Sequence, residues 1–295
     1  MRVNPYPMPD LLAALNQAEL EAQQDMMEIS TGRSVNEPSD NPVAAGLLVE
    51  NNDEATFNAG YLQNLTTING QFSAADSALS SVETALQRAI TLGVQGATGT
   101  LSDSDRTAIA EELQGIQSQI ISLANTSYQG NYLFAGTATG APPYVVNSSD
   151  PSGVTYNGNN GVNQVSIGNG YQIEINQPGS QLFSASGNSV FLALNSLIQA
   201  VQSDGDIADA VSNLSSASSY LAAQRVFYGN AMDQVQAQTT YLNAAKTQIA
   251  QQQNSLAGVD LATAATNLSS AQADTQATLA AISEFSQMNL FDYLH

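Results

Sequence analysis

The 295-residue chain carries 26 acidic residues against six Lys plus Arg, a formal net charge of −20, with no Cys, no Trp and a single His, His295, at the last position. That balance argues against a nucleic-acid binder, which needs a basic patch to displace phosphate counterions, and against docking on an anionic membrane. Lack of Cys and of any internal His excludes disulfides, thiolate zinc sites and Cys nucleophiles, and leaves no basis for His-centred acid–base chemistry.

The opening stretch Met1–Asp10, MRVNPYPMPD, has three Pro and no apolar core, so it does not read as a Sec-type signal peptide. No segment approaches roughly 18 consecutive apolar residues, so no membrane span is expected. Helical periodicity begins with Leu11, Leu15, Ala18, Ala22, Asp25/Met26 and Ile29, and predicts a first helix starting near Pro9 or Asp10. The next stretch, Ser30 to Ala45, reads STGRSVNEPSDNPVAA and predicts a joint between two helices. Gly32 is the expected stop. Pro38 keeps Glu37 out of helical geometry. Asn41 is the expected N-cap with Pro42 in the first helical position. Arg33 falls just past a helix end, where a cation meets unsatisfied carbonyls.

From Tyr61 an apolar seam runs Leu65, Ile68, Phe72, Ala75, Leu79, Val82, Leu86, Ala89 and Gly93, alternating steps of four and three without a slip. At roughly 1.5 Å per residue this is about 50 Å of helix. A turn is expected at Gly96–Thr100, then Ser102 as an N-cap and a helical run Ile109, Leu113, Ile116, Ile120, Leu123, Ser127. The character changes between Gly136 and Gly187, a stretch rich in Gly, Pro and Asn without one basic residue. Short β-type runs appear there at Tyr144–Val146, Val154–Tyr156, Val165–Ile167 and Tyr171–Ile175, the last two flanking a Gly168-Asn169-Gly170 hairpin signal. A short amphipathic helix from Val190 to Val201 follows. A third long run goes from Ile207 to Leu256 through Leu214, Leu221, Arg225, Tyr228, Val235, Leu242, Lys246 and Ile249. A fourth goes from Leu261 to Phe285 through Leu268, Ala271, Leu279 and Ile282.

These periods predict a mainly α protein: a long coiled-coil or helical-bundle rod built from paired N- and C-terminal arms, with a small β-rich insertion in the middle. The expected division is residues 1–45 with 257–295 as terminal helices, 46–135 with 189–256 as a helical core, and 136–188 as the β-rich insertion. Many terminal seam positions are Ala, Ser or Thr. At about 0.8 kcal/mol per buried CH2 they bury too little to hold a helix pair alone, so the terminal helices are expected to order on assembly.

Asp103, Asp105, Glu111 and Glu112 sit at a helix start, where acids complement the helix dipole. The Asp-x-Asp of Ser203–Asp209 lacks the remaining ligands of a calcium loop. Gly168-Asn169-Gly170 has no following P-loop Lys, and the lone Lys246 lies among Gln on a solvated helix. No nucleophile, base and orienter converge, so neither an enzyme nor a cofactor site is expected.

The Ser30–Ala45 joint resembles the segment of flagellin-family axial proteins in which a Ser-x-Gly-Arg/Lys turn follows the first helix. The C-terminal DLATAATNLSSAQADTQATLAAISEFSQMNLFDYL, Asp260 to Leu294, resembles that family's terminal helix. Within the family the chain is most similar to the members at the hook–filament junction. NEPSDNPVAA stands where filament flagellins are Ala-rich, NTSYQGNYLFAGT covers Asn125–Thr137, and the chain closes on LFDYL. The resemblance implies export through the flagellar type III apparatus to the extracellular flagellum. It further implies a structural role joining hook to filament, the alternative being a minor filament flagellin. The implied partners are copies of itself, hook-associated protein 1, flagellin and a cytoplasmic export chaperone. The expected assembly contacts are Arg33, Leu261, Leu268, Leu279, Ile282, Phe285, Leu290, Phe291 and Leu294. A further reading is a secreted adhesin binding glycan through Tyr144, Tyr156 and Tyr171.

Overall fold

The computed structural model describes residues 8–98, 101–203 and 205–292, the last six as backbone only. It is predominantly helical. Helix α1 spans Met8–Thr31, α2 Pro42–Gly96, α3 Asp103–Ala124, α4 Gly179–Leu182, α5 Val190–Ser203, α6 Ile207–Ala257 and α7 Leu261–Asp292. Six short strands lie between α3 and α5: β1 Ser127–Tyr128, β2 Asn131–Tyr132, β3 Tyr144–Val146, β4 Val154–Tyr156, β5 Gln164–Gly168 and β6 Tyr171–Glu174. They pair as three separate antiparallel hairpins, β1–β2, β3–β4 and β5–β6. The chain divides into two compact units, residues 1–57 with 244–295 and residues 58–243. Both α2 and α6 contribute to each.

The larger unit has a continuous apolar core. The α2 seam expected from the spacing is buried from Leu65 to Ala89, with Phe72, Leu79, Val82, Leu86 and Ala89 fully out of solvent. Leu214, Leu221, Tyr228 and Val235 of α6, Leu113 and Ile120 of α3, and Phe191, Leu194 and Leu197 of α5 share that core. Gly93 closes the seam because a Cβ there would collide with Val211 and crowd Leu197. Arg225, on the buried run of α6, reaches back to α2 and pairs with both Asp76 and Glu83. Its guanidinium contacts Asp76 through Nε and Nη2 and Glu83 through Nη1 at 2.9 Å. The hydrogen bonds it donates to Asp76, then the fields of both acids, hold its pKa above the usual Arg value.

Helix α3 opens on the expected Ser102, which forms a full capping box with Asp105. These hydrogen bonds, led by that from the Ser102 hydroxyl, lower the Asp105 pKa. The helix ends at Ala124, so Ser127 stands on β1 and not on the helical run where its spacing placed it. Asn125 causes the break. Its carboxamide donates to the Tyr144 carbonyl at 2.8 Å and accepts from the Tyr144 amide at 2.9 Å, so it clasps β3 to the helix end. The β1–β2 hairpin is absent from the sequence reading. Its Tyr128 hydroxyl lies over Gly70 of α2, at a point where any Cβ would overlap it. The middle segment is packed into the larger core through Phe134, Tyr144, Val154, Ile167, Ile173 and Phe183.

Candidate functional site

The smaller unit differs in what it buries. Its α1 packs along α7. The facing positions of α1 are Leu11, Leu15, Ala18, Ala22, Asp25 and Ile29, the run read from the sequence, yet only Ala18 is buried in this helix. On α7 the buried positions are Ala264 and Ala271. Three alanine methyls contribute about 2 kcal/mol, while ordering a backbone costs about 1 kcal/mol or more per residue. Helices of 24 and 32 residues are therefore held mainly by their own hydrogen bonds and by half-buried Leu268, Ile282 and Phe285.

Several large apolar side chains of the same helices point into solvent. Leu20 and Met27 are 62% and 46% exposed. They stand two residues beyond the seam positions Ala18 and Asp25, about 200° around the helix. Leu12, Met26, Val43, Leu47, Phe57, Leu261 and Leu279 are also exposed in this unit. Such a concentration of large exposed side chains is the usual mark of a surface that another protein covers.

Between the helices lies an acidic cleft lined by Glu21, Asp25 and Glu28 of α1 and Asp274 of α7, with Gln24, Asn267, Ser270 and Ala271. Its lining holds no cation. Among the described residues no group of three or more His, Cys, Asp or Glu has the arrangement to hold a metal ion, and no helix is long and apolar enough to cross a membrane.

The two connectors of this unit form one joint. Gly32 takes φ of +70°, which a side chain would resist, and its amide donates back to Glu28. Ser34 then donates to the Ala257 carbonyl at 2.8 Å and Val259 to the Gly32 carbonyl at 3.3 Å, so Arg33 and Gly258 face each other as an antiparallel bridge. Val35, Ala44 and Ala257 bury a small satellite core beneath it. Asn41 caps α2 as expected, accepting from the Ala44 amide through Oδ1 at 3.0 Å, and Pro42 is the first helical residue.

Asp40 and Asp260 are joint residues that sequence reasoning missed. Asp40 Oδ2 accepts from the amides of Glu37 and Asn36 at 2.8 and 2.9 Å, and these bonds lower its pKa. Asp260 does the same at the start of α7. It accepts from the Thr263 hydroxyl and the amides of Ala262 and Thr263, and its pKa is lowered with the Thr263 hydroxyl as the main cause. The available signal was an Asp within three residues of a helix start.

Arg33 is exposed in this joint, and among the described residues its side chain has no hydrogen-bond or ion-pair partner. Of the apolar residues singled out on α7, Leu261 and Leu279 point outward, while Leu268, Ile282 and Phe285 are half-buried. The side chains of Leu290 and Phe291, and all of Leu294, lie outside the described residues. Lys246 is exposed, with Ala245 taking the inward place on α6 that the run assigned to the lysine. The glycan reading loses its surface: Tyr144 is buried, and its ring stacks at 5.1 Å on that of Tyr156, whose hydroxyl donates to the Phe134 and Asn159 carbonyls. Of the three tyrosines only Tyr171 is exposed.

A chain whose two ends pair as helices around a mid-chain insertion has the architecture of a flagellar axial protein. Two family models match it: the bacterial flagellin N-terminal helical region over residues 7–139 and the C-terminal helical region over residues 207–294. The chain belongs to the flagellin family. Among curated proteins it is 36% identical over 159 residues to flagellar hook-associated protein 3 of Salmonella typhimurium, covering 54% of this chain and 49% of that protein. It is 33% identical over 120 residues to flagellin C of Vibrio cholerae, covering 39% and 31%. The chain thus spans about half or less of the length of these relatives. The solved structure of a flagellar hook-associated protein from Vibrio parahaemolyticus shares the fold, with a TM-score of 0.68 at 21% identity, covering 74% of this chain and all of that one.

Proposed function

We propose that the chain is a structural subunit of the bacterial flagellum that joins the hook to the flagellin filament, as the name of its hook-associated relatives suggests. The observation that carries this reading is the α1–α7 pair, which buries three alanines and leaves leucines, methionines and a phenylalanine of its unit in solvent. A surface of that kind is completed by neighbouring subunits. The longer match to hook-associated protein 3 than to flagellin C favours the junction over a minor filament flagellin.

On this reading the protein leaves the cell through the flagellar type III apparatus and works outside it, as a member of a ring or helical array of its own copies. Hook-associated protein 1 lies on one side, flagellin lies on the other, and a cytoplasmic chaperone holds the chain before export. Its role is mechanical, without catalysis, cofactor, nucleic acid or membrane. Arg33, Leu261, Leu268, Leu279, Ile282, Phe285, Leu290, Phe291 and Leu294 supply assembly contacts, and Gly32, Pro38, Asn41 and Pro42 shape the joint that presents them.

Deletion of the gene followed by electron microscopy tests the proposal. The expected phenotype is hooks without filaments and flagellin shed into the medium. Normal filaments on the deletion strain would overturn it, and shortened or altered filaments would favour the minor flagellin.

A further inference from the structure

Four Asn-Gly pairs occur in the chain: Asn69-Gly70, Asn157-Gly158, Asn160-Gly161 and Asn169-Gly170. An Asn carboxamide carbon followed by an unhindered glycine amide is open to intramolecular attack, because glycine offers no Cβ to block the approach and little resistance to the required backbone rotation. The fold treats the four pairs differently. Asn69 and Gly70 lie inside α2, where the helical hydrogen bonds engage the Gly70 amide and Tyr128 covers the glycine. The Gly161 amide is already donated to Asn159 Oδ1 at 3.0 Å, and Asn160 Oδ1 accepts from the Ser180 hydroxyl. Gly158 is wedged against the Tyr156 ring and the Ala135 carbonyl, while the Asn157 amide is tied to Pro143.

Asn169-Gly170 has none of these restraints. It is the two-residue tip of the β5–β6 hairpin, exposed, with Gly170 at φ of +77° and open space where its Cβ would be. Neither the Asn169 carboxamide nor the Gly170 amide makes a hydrogen bond. We propose that Asn169 is a site of spontaneous modification, converted in the folded protein to aspartate and isoaspartate through a succinimide. The Gly170 nitrogen bonds to Asn169 Cγ, the Cγ–Nδ2 bond breaks, and ammonia leaves carrying the proton lost by the amide. Water then opens the ring at either carbonyl. The net reaction consumes one water, releases one ammonia and needs no oxidant. The hairpin tip gains a negative charge, and the isoaspartate product adds a backbone atom between Gly168 and its partner Tyr171, which disturbs the pairing that holds the tip.

The test is incubation of the full-length folded chain at body temperature and mildly alkaline pH, with chymotryptic peptides followed by mass spectrometry. Fragment ions of the peptide Asn157–Tyr171 should place a gain of one mass unit on Asn169 at least tenfold faster than on Asn157 or Asn160 of the same peptide, or on Asn69 of its own peptide, and faster still as pH rises. Asn169→Gln should abolish the change without altering the melting temperature. A parallel sample held in urea should modify all four pairs at comparable rates. Retention of Asn169 while another pair reacts, or the same ranking in urea as in the folded chain, would overturn the assignment.

Discussion

The amide of Ser34 donates to the carbonyl of Ala257 at 2.8 Å, tying the connector after the first helix to the end of the long C-terminal one. With the reciprocal bond from Val259 to Gly32, two loops distant in sequence become one joint. Arg33 sits at its centre, exposed, in a protein with 26 acids and six bases. On the proposed function, that guanidinium would meet the carboxylates of a neighbouring subunit. Arg33→Glu should therefore leave the melting temperature of the isolated chain nearly unchanged, as expected for an exposed site, while slowing assembly onto hook ends. An equal loss of both would reduce the residue to a helix-end counter-charge.

Leu20 and Met27 face away from the α7 seam, so replacing both with Ser removes no buried contact of the isolated chain. Its unfolding free energy should change by about 0.5 kcal/mol or less. Incorporation into flagella, read by labelled protein at the hook tip, should fall sharply. Normal incorporation would remove the outer α1 face from the assembly surface.

Asp40 and Asp260 both have pKa values below the ordinary 3.8. Their contribution to the joint is fully present above that value and is lost as pH falls through the lower folded values. Hydrogen exchange of the Asn36, Glu37, Ala262 and Thr263 amides should accelerate in that acid window relative to amides of the α2 core. Asp40→Asn combined with Asp260→Asn should flatten the acid dependence while weakening the joint at neutral pH.

Arg225→Ala leaves Asp76 and Glu83 facing each other without their shared cation. The group is partly exposed, which tempers the penalty, so a loss of about 1–2 kcal/mol is expected. Chemical denaturation should show the shift. Adding Asp76→Ala and Glu83→Ala to that variant should recover part of it, because the unpaired acids drive the cost.

The α2 seam was readable because large apolar residues at strict four-and-three steps admit one buried face. The hairpin Gly168-Asn169-Gly170 and the caps at Ser102 and Asn41 were readable because their chemistry is local. The Arg225 clamp was not, since it joins residues 149 and 142 positions apart. The β1–β2 hairpin was hidden for a similar reason: two-residue strands have no periodicity, and Tyr128 finds its seat only when Gly70 is brought beneath it. On α7 the spacing places Ala271 in the run, and it is buried, but the run also takes in Leu261 and Leu279, which are exposed, and passes over Ala264, which is buried.

Arg88 is paired with Glu112, Arg106 with Asp103, and Arg225 with Asp76 and Glu83, all on helices. Arg33 and Lys246 are exposed, and both belong to the smaller unit. No Lys or Arg occurs between Arg106 and Arg225. Among the described residues a trypsin-like protease in the surrounding medium meets Arg33 and Lys246 exposed and without an ion pair, and Arg88 exposed but tied to Glu112, while residues 107–224 offer it no cleavage point. Digestion should trim the chain to a fragment from Ser34 to Lys246 and stall there.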